Sequence, residues 1–173
     1  MTEKIKIAIS SCLLGNAVRY DGLSKRNDSL IENLAGEFEM SAVCPEIMAG
    51  LGVPRPAVQL VKVGNEIRAT GVIDTSLDVS SDIVSAAKEF VLASDGVCGL
   101  ILKSRSPSCG AGSTPLYDYK NNVIGREWGL FARYVSQNNT GFPIVEDTLL
   151  GEAGKLKKFC QQVRDYSHKL NLN

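Results

Sequence analysis

The chain has 173 residues, 44% of them hydrophobic and 22% charged, proportions that exclude extended disorder and suffice for one cored domain spanning residues 1–173. Its 19 basic residues balance 19 acidic ones, so it lacks the basic footprint that grips a phosphate backbone, and no polynucleotide partner is expected. The N-terminal MTEKIKIAISSCLLG carries too short an apolar run for a signal peptide or a spanning helix, and no stretch reaches ~18 apolar residues. A cytoplasmic location is expected. The odd count of 5 cysteines argues for reduced thiols rather than a disulfide framework.

In chain order, Lys4–Ser10 reads as a strand, with Ile5, Ile7 and Ile9 alternating around a small Ala8. A loop through Gly15, Arg19, Asp21 and Gly22 leads to a helix over Asp28–Phe38 and a strand over Phe38–Val43, which Pro45 ends. VQLVKV and IRAT form a hairpin about Gly64-Asn65. Leu77–Asp95 reads as a helix with Asp78 or Ser80 as cap and Gly96 as its stop. Val97–Lys103 is the third core strand. Pro115–Tyr119 with Asn121-Asn122 suggests a second hairpin, Arg126–Gln137 a helix, and Phe142–Val145 a short strand. Residues 150–173 form a terminal amphipathic helix, with Leu156, Phe159, Cys160, Val163 and Leu170 on one stripe. This alternation predicts an α/β fold: a mostly parallel, Rossmann-like layered sheet with helices on both faces and small hairpin insertions.

Three cysteines, Cys12, Cys44 and Cys109, each stand where an apolar run gives way to a Gly- and Pro-rich loop. In an open α/β sheet such loops gather along one edge. Three thiols meeting there suggest a metal or iron–sulfur site with one coordination position to spare. Cys98 and Cys160 lie in apolar stripes and read as core residues. The single histidine, His168, sits on the polar terminal helix and reads as a solvated surface residue. With no histidine near the loops, a 4Fe-4S cluster fits better than zinc, although zinc held by three Cys and a carboxylate stays open. A non-catalytic metal-binding or redox-sensing protein is the alternative reading of the same thiols. A plain nucleotide-binding domain with incidental cysteines is a third.

The blocks SCLLGNAVRYDG, CPEIMAGLGVPRP and LKSRSPSCG resemble the three signature blocks of the DUF523 family, which includes the thiouracil desulfurases, or desulfidases. The resemblance continues through DVSS, where that family has a DVT-like stretch, into VIGREWGLFARY and FPIVED. It implies a 4Fe-4S cluster held by Cys12, Cys44 and Cys109, whose open iron binds the sulfur of a thiolated nucleobase such as thiouracil. Water oxygen then replaces the sulfur, which leaves as hydrosulfide. It further implies Glu46 as acid/base and Ser106 or Ser104 as a positioning group. Arg19, Asp21 and Arg55 read as polar ties locking loops over the cluster, and Gly110 and Gly112 as points of close backbone approach to it. Where family members carry an acid after the PRP segment this chain has Gln59, so a different preferred substrate is open.

Overall fold

A computed structural model describes residues 4–171. Strand β1 (Ile5–Ser10) pairs in parallel with β2 (Phe38–Val43) on one side and with β5 (Val97–Leu102) on the other, and β8 (Ile144–Glu146) completes a sheet of order β2-β1-β5-β8. All four strands are parallel. Each therefore needs a crossover, and the connections include helices α1 (Asp28–Ala35), α3 (Ser80–Ala93) and α4 (Leu130–Asn138).

The sheet is covered on both faces, as the strand–helix alternation predicts. Ile7 and Ile9 of β1 and Ile101 of β5 pack with Leu30 and Leu34 of α1 and with Phe159 and Val163 of α5 (Lys155–Asn171). Ala8, Leu100 and Leu102 face the other way, toward Ile83, Ala87 and Phe90 of α3 and Phe131 and Val135 of α4. Cys98 and Cys160 are both buried in the first of these clusters, which agrees with their reading as core residues, and His168 is exposed on α5.

The two hairpins do more than decorate the sheet. Strands β3 (Val58–Val63) and β4 (Glu66–Gly71) form one hairpin, β6 (Ala111–Tyr117) and β7 (Val123–Trp128) the other. They join through a short parallel pairing, Leu60 with Leu116 and Val61 with Tyr117, into a second four-stranded sheet of order β4-β3-β6-β7. Leu60, Ala69 and Leu116 carry this sheet into the core shared with α3 and α4. Arg126, Glu127 and Trp128 belong to β7, so the helix predicted from Arg126 begins instead at Leu130, after Gly129. The remaining helix, α2, is the four-residue Pro45–Met48 immediately after β2.

Helix α3 begins at Ser80, and Asp78 secures its start by accepting hydrogen bonds from the Ser80 backbone N–H (3.0 Å) and hydroxyl (2.6 Å). The Ser80 hydroxyl holds the Asp78 carboxyl below its ordinary range, aided by Arg68. A carboxylate with a depressed folded pKa adds stability that is present above its unfolded value, near 4, and is lost as pH falls through the folded one. Asp78→Ala is accordingly expected to cost about 1 kcal/mol at pH 7. Urea unfolding should show the wild-type and variant curves converging as the pH is lowered below 4.

Candidate active site

Because β1, β2 and β5 run in parallel side by side, their C-terminal ends open on the same edge of the sheet. Cys12 lies in the 3-10 turn Ser11–Leu14 directly after β1, Cys44 caps α2 directly after β2, and Cys109 lies in the loop between β5 and β6. The three line one cavity of about 580 Å³. Glu46, Ser104 and Ser106 line it too, with Arg19, Arg55, Lys103 and Arg105. All six site residues expected from the sequence are thus brought together.

Burial pushes all three thiols above their ordinary pKa. For Cys12 and Cys109 the neighbouring cysteines push the same way, while Lys103 and Arg19 partly offset the effect at Cys12 and the Ser10 hydroxyl at Cys109. Among the described residues no three His, Cys, Asp or Glu side chains come close enough to hold one metal ion. The thiols instead surround a volume, and all five cysteines are free. An all-sulfur donor set around a cavity fits an iron–sulfur cluster better than a closed zinc site, whose ligands converge on a point.

The loop carrying Cys109 is fixed from several sides. The first turn of α4 has backbone N–H groups without intrahelical partners. Leu130 donates to the Pro107 carbonyl (3.0 Å) and Phe131 to that of Ser108 (3.1 Å), and Gly129 just before them donates to Gly110 (2.7 Å). A Cβ at Gly129 would lie 2.5 Å from the Ser108 carbonyl carbon and 2.9 Å from the Cys109 nitrogen, so no larger residue fits. Buried Glu146, at the end of β8, accepts from the Ala111 N–H (2.6 Å) and the Ser113 hydroxyl (2.7 Å). Ser113 in turn accepts from the Arg105 N–H. A Cβ on Gly110 would collide with Thr114, and Gly112 has a left-handed backbone (φ 104°) that favours glycine.

Glu46 is held from two loops. Its Oε2 accepts from Arg55 Nε (2.6 Å) and Nη2 (2.5 Å), and its Oε1 from the Ser108 hydroxyl (2.8 Å). Arg55 is itself tied to the Gly52 carbonyl, and its side chain is only 6% exposed. Of the charged residues expected to lock the loops, Arg55 ties to Glu46 on a neighbouring segment, whereas Arg19 pairs with Asp21 two residues away within its own loop. The serines divide their tasks. Ser106 Oγ accepts from the N–H groups of Ser108 (3.2 Å) and Cys109 (3.0 Å), while Ser104 Oγ accepts from Lys103 Nζ (2.9 Å). Ser108, fully buried and touching Glu46, escaped the sequence reading, as did Lys103 and Asp147. Gln59 donates to Asn121 in the β6–β7 turn and is not among the cavity residues.

A family model for 2-thiouracil desulfurase matches residues 7–147, a span that holds every residue of the cavity. The chain belongs to the 2-thiouracil desulfurase family. This is an enzyme family, and the membership agrees with the DUF523 resemblance of the three signature blocks. The chain is 30% identical over 155 residues to the uncharacterized protein YbbK of Bacillus subtilis (strain 168), covering 84% of this chain and 98% of that one. A solved structure of the [4Fe-4S]-dependent thiouracil desulfidase TudS superposes with a TM-score of 0.65 at 28% identity, covering 90% of this chain and 99% of TudS. Among the described residues, no helix is long and apolar enough to cross a membrane.

Two outcomes test this geometry. Gly129→Ala is expected to destabilise the protein by about 2 kcal/mol or more, because backbone rather than a flexible side chain blocks the new methyl; thermal melts would register it. Arg55→Met, which leaves the Glu46 carboxylate enclosed without its cation, is expected to cost about 3 kcal/mol in urea unfolding at pH 7.

Proposed function

We propose that the protein is a desulfidase that removes sulfur from a thiolated nucleobase such as thiouracil, with a 4Fe-4S cluster held by Cys12, Cys44 and Cys109. The observation that carries this reading is the convergence of three free thiols and one tethered carboxylate on a single cavity. When bound, the cluster supplies an iron with a free coordination position, a soft Lewis acid suited to a thione sulfur.

The protein's own groups provide the rest. Glu46 is the base that takes a proton from the attacking water. Its Oε2 takes two donors from Arg55, whereas among the described residues Oε1 accepts only the Ser108 hydroxyl and keeps capacity for a further proton donor. Water oxygen bonds to the thione carbon, Glu46 returns its proton to the sulfur, and the C–S bond breaks with its electron pair on sulfur, so that hydrosulfide leaves and the added oxygen gives up its remaining proton as the carbonyl forms. The exchange is a net hydrolysis and needs no electron donor. Ser106 and Ser104 have oxygens already occupied as acceptors, and among the described residues neither hydroxyl donates to the protein. Their protons are free to stabilise charge developing on the base. Val18, Tyr20, Val58 and Pro107 give the cavity apolar walls for a flat ring.

Anaerobic reconstitution followed by incubation with 2-thiouracil and 4-thiouracil should consume the thione absorbance and release sulfide. An intact cluster with no turnover of either base would instead favour a non-catalytic metal-binding or redox-sensing role. Cys12→Ala, Cys44→Ala and Cys109→Ala should each lower the iron retained after reconstitution and abolish sulfide release. Cys98→Ala and Cys160→Ala should keep both, at a stability cost of about 1 kcal/mol.

A further inference from the structure

Lys103, on the cavity wall, forms an ion pair with Asp147, which lies behind it and is not among the cavity residues. Lys103 is the first residue past β5 and Asp147 the first past β8, so a fourth strand end reaches the same sheet edge. Lys103 Nζ donates to Asp147 Oδ2 (2.9 Å) and Oδ1 (3.2 Å), and also to Ser104 Oγ (2.9 Å). Asp147 Oδ1 accepts from the Ser104 backbone N–H as well (2.7 Å). The lysine main chain is pinned in turn, its N–H donating to the buried Ser10 hydroxyl (2.9 Å). Neither partner is a freely solvated surface group: the Lys103 and Asp147 side chains are 23% and 11% exposed. Lys103 and Ser104 both line the cavity.

This arrangement governs a single proton. A serine hydroxyl has one donor and two acceptor sites. The ammonium occupies one acceptor site with a charge-assisted bond, which polarises the hydroxyl and strengthens it as a donor. With Ser104 held at both its nitrogen and its oxygen, the hydroxyl proton has no acceptor among the described residues.

We propose that Lys103, anchored by Asp147, is a positioning residue that turns the Ser104 hydroxyl toward the bound base. There Ser104 donates a hydrogen bond to the ring atom that gains negative charge as water oxygen adds to the thione carbon. The inference rests on the desulfidase reading and selects Ser104 as a substrate-facing donor. Ser106, whose oxygen takes two N–H groups of the Cys109 loop, principally shapes that loop. No proton is transferred by the lysine, and the atom balance of the hydrolysis is unchanged.

A double-mutant cycle on the reconstituted holoenzyme tests this. Ser104→Ala and Lys103→Met should each lower kcat on 2-thiouracil about 10-fold to 100-fold, as losing one preorganised donor does. KM, iron content and the affinity for uracil, measured by calorimetry, should each change less than about 3-fold, since the donor acts mainly on developing charge. The doubly substituted enzyme should be no slower than the slower single variant. Lys103→Arg, which keeps a cation donor, should recover part of the rate. Multiplying effects, or a rate loss that follows iron loss, would overturn the role of Lys103 while leaving the desulfidase reading standing. A wild-type holoenzyme with a full cluster and no turnover of any thiolated base would overturn both.

Discussion

Parallel pairing of β1 with both β2 and β5 is the constraint from which the site follows. The register sets Ile5 to Ser10 opposite Phe38 to Val43 without a break, so these two strands finish level. The chain then leaves each strand over the same edge, Cys12 two residues past β1 and Cys44 one residue past β2. An antiparallel arrangement would have sent one of these thiols to the far side of the molecule. The apolar residues that bury the sheet on both faces thus also determine where the sulfur donors meet.

Around that edge, polar groups are satisfied by parts of the protein that also position the chemistry. The N–H groups at the start of α4 hold the carbonyls of the Cys109 loop, and Glu146 holds the loop's far end. Ser108, fixed through its carbonyl by α4, reaches across to Glu46 on the Cys44 segment. Two donor-bearing loops are therefore coupled through one carboxylate, and Arg55 completes its surroundings from a third segment. Among the described residues no buried side-chain nitrogen or oxygen is left without a partner. Such preorganisation is what a reaction with developing charge requires, because groups already fixed need no rearrangement in the transition state.

Much of this was legible in the sequence. Cys12, Cys44 and Cys109 stand out because each lies where an apolar strand gives way to a Gly- and Pro-rich loop, unlike Cys98 and Cys160. Glu46 was accessible only through the motif resemblance. What escaped notice depends on contacts between distant segments: Ser108 meets Glu46 across 62 positions, and Lys103 meets Asp147 across 44. Neither contact has a local pattern. The second sheet was hidden for a similar reason, since only two residue pairs join β3 to β6. The segment Arg126–Trp128 resembled a helix because Trp128, Phe131, Ala132 and Val135 have helical spacing. Pairing with β6 overrides that spacing, and Gly129 marks the true boundary.

Mössbauer spectroscopy of protein reconstituted with iron-57, recorded before and after adding 2-thiouracil, addresses the cofactor and its open position together. A three-thiolate 4Fe-4S cluster predicts one iron distinguishable from the other three, and only that site should change when the thione is added. Four equivalent irons indifferent to the base, or no bound cluster at all, would contradict the assignment of Cys12, Cys44 and Cys109 as the ligands of a substrate-binding centre.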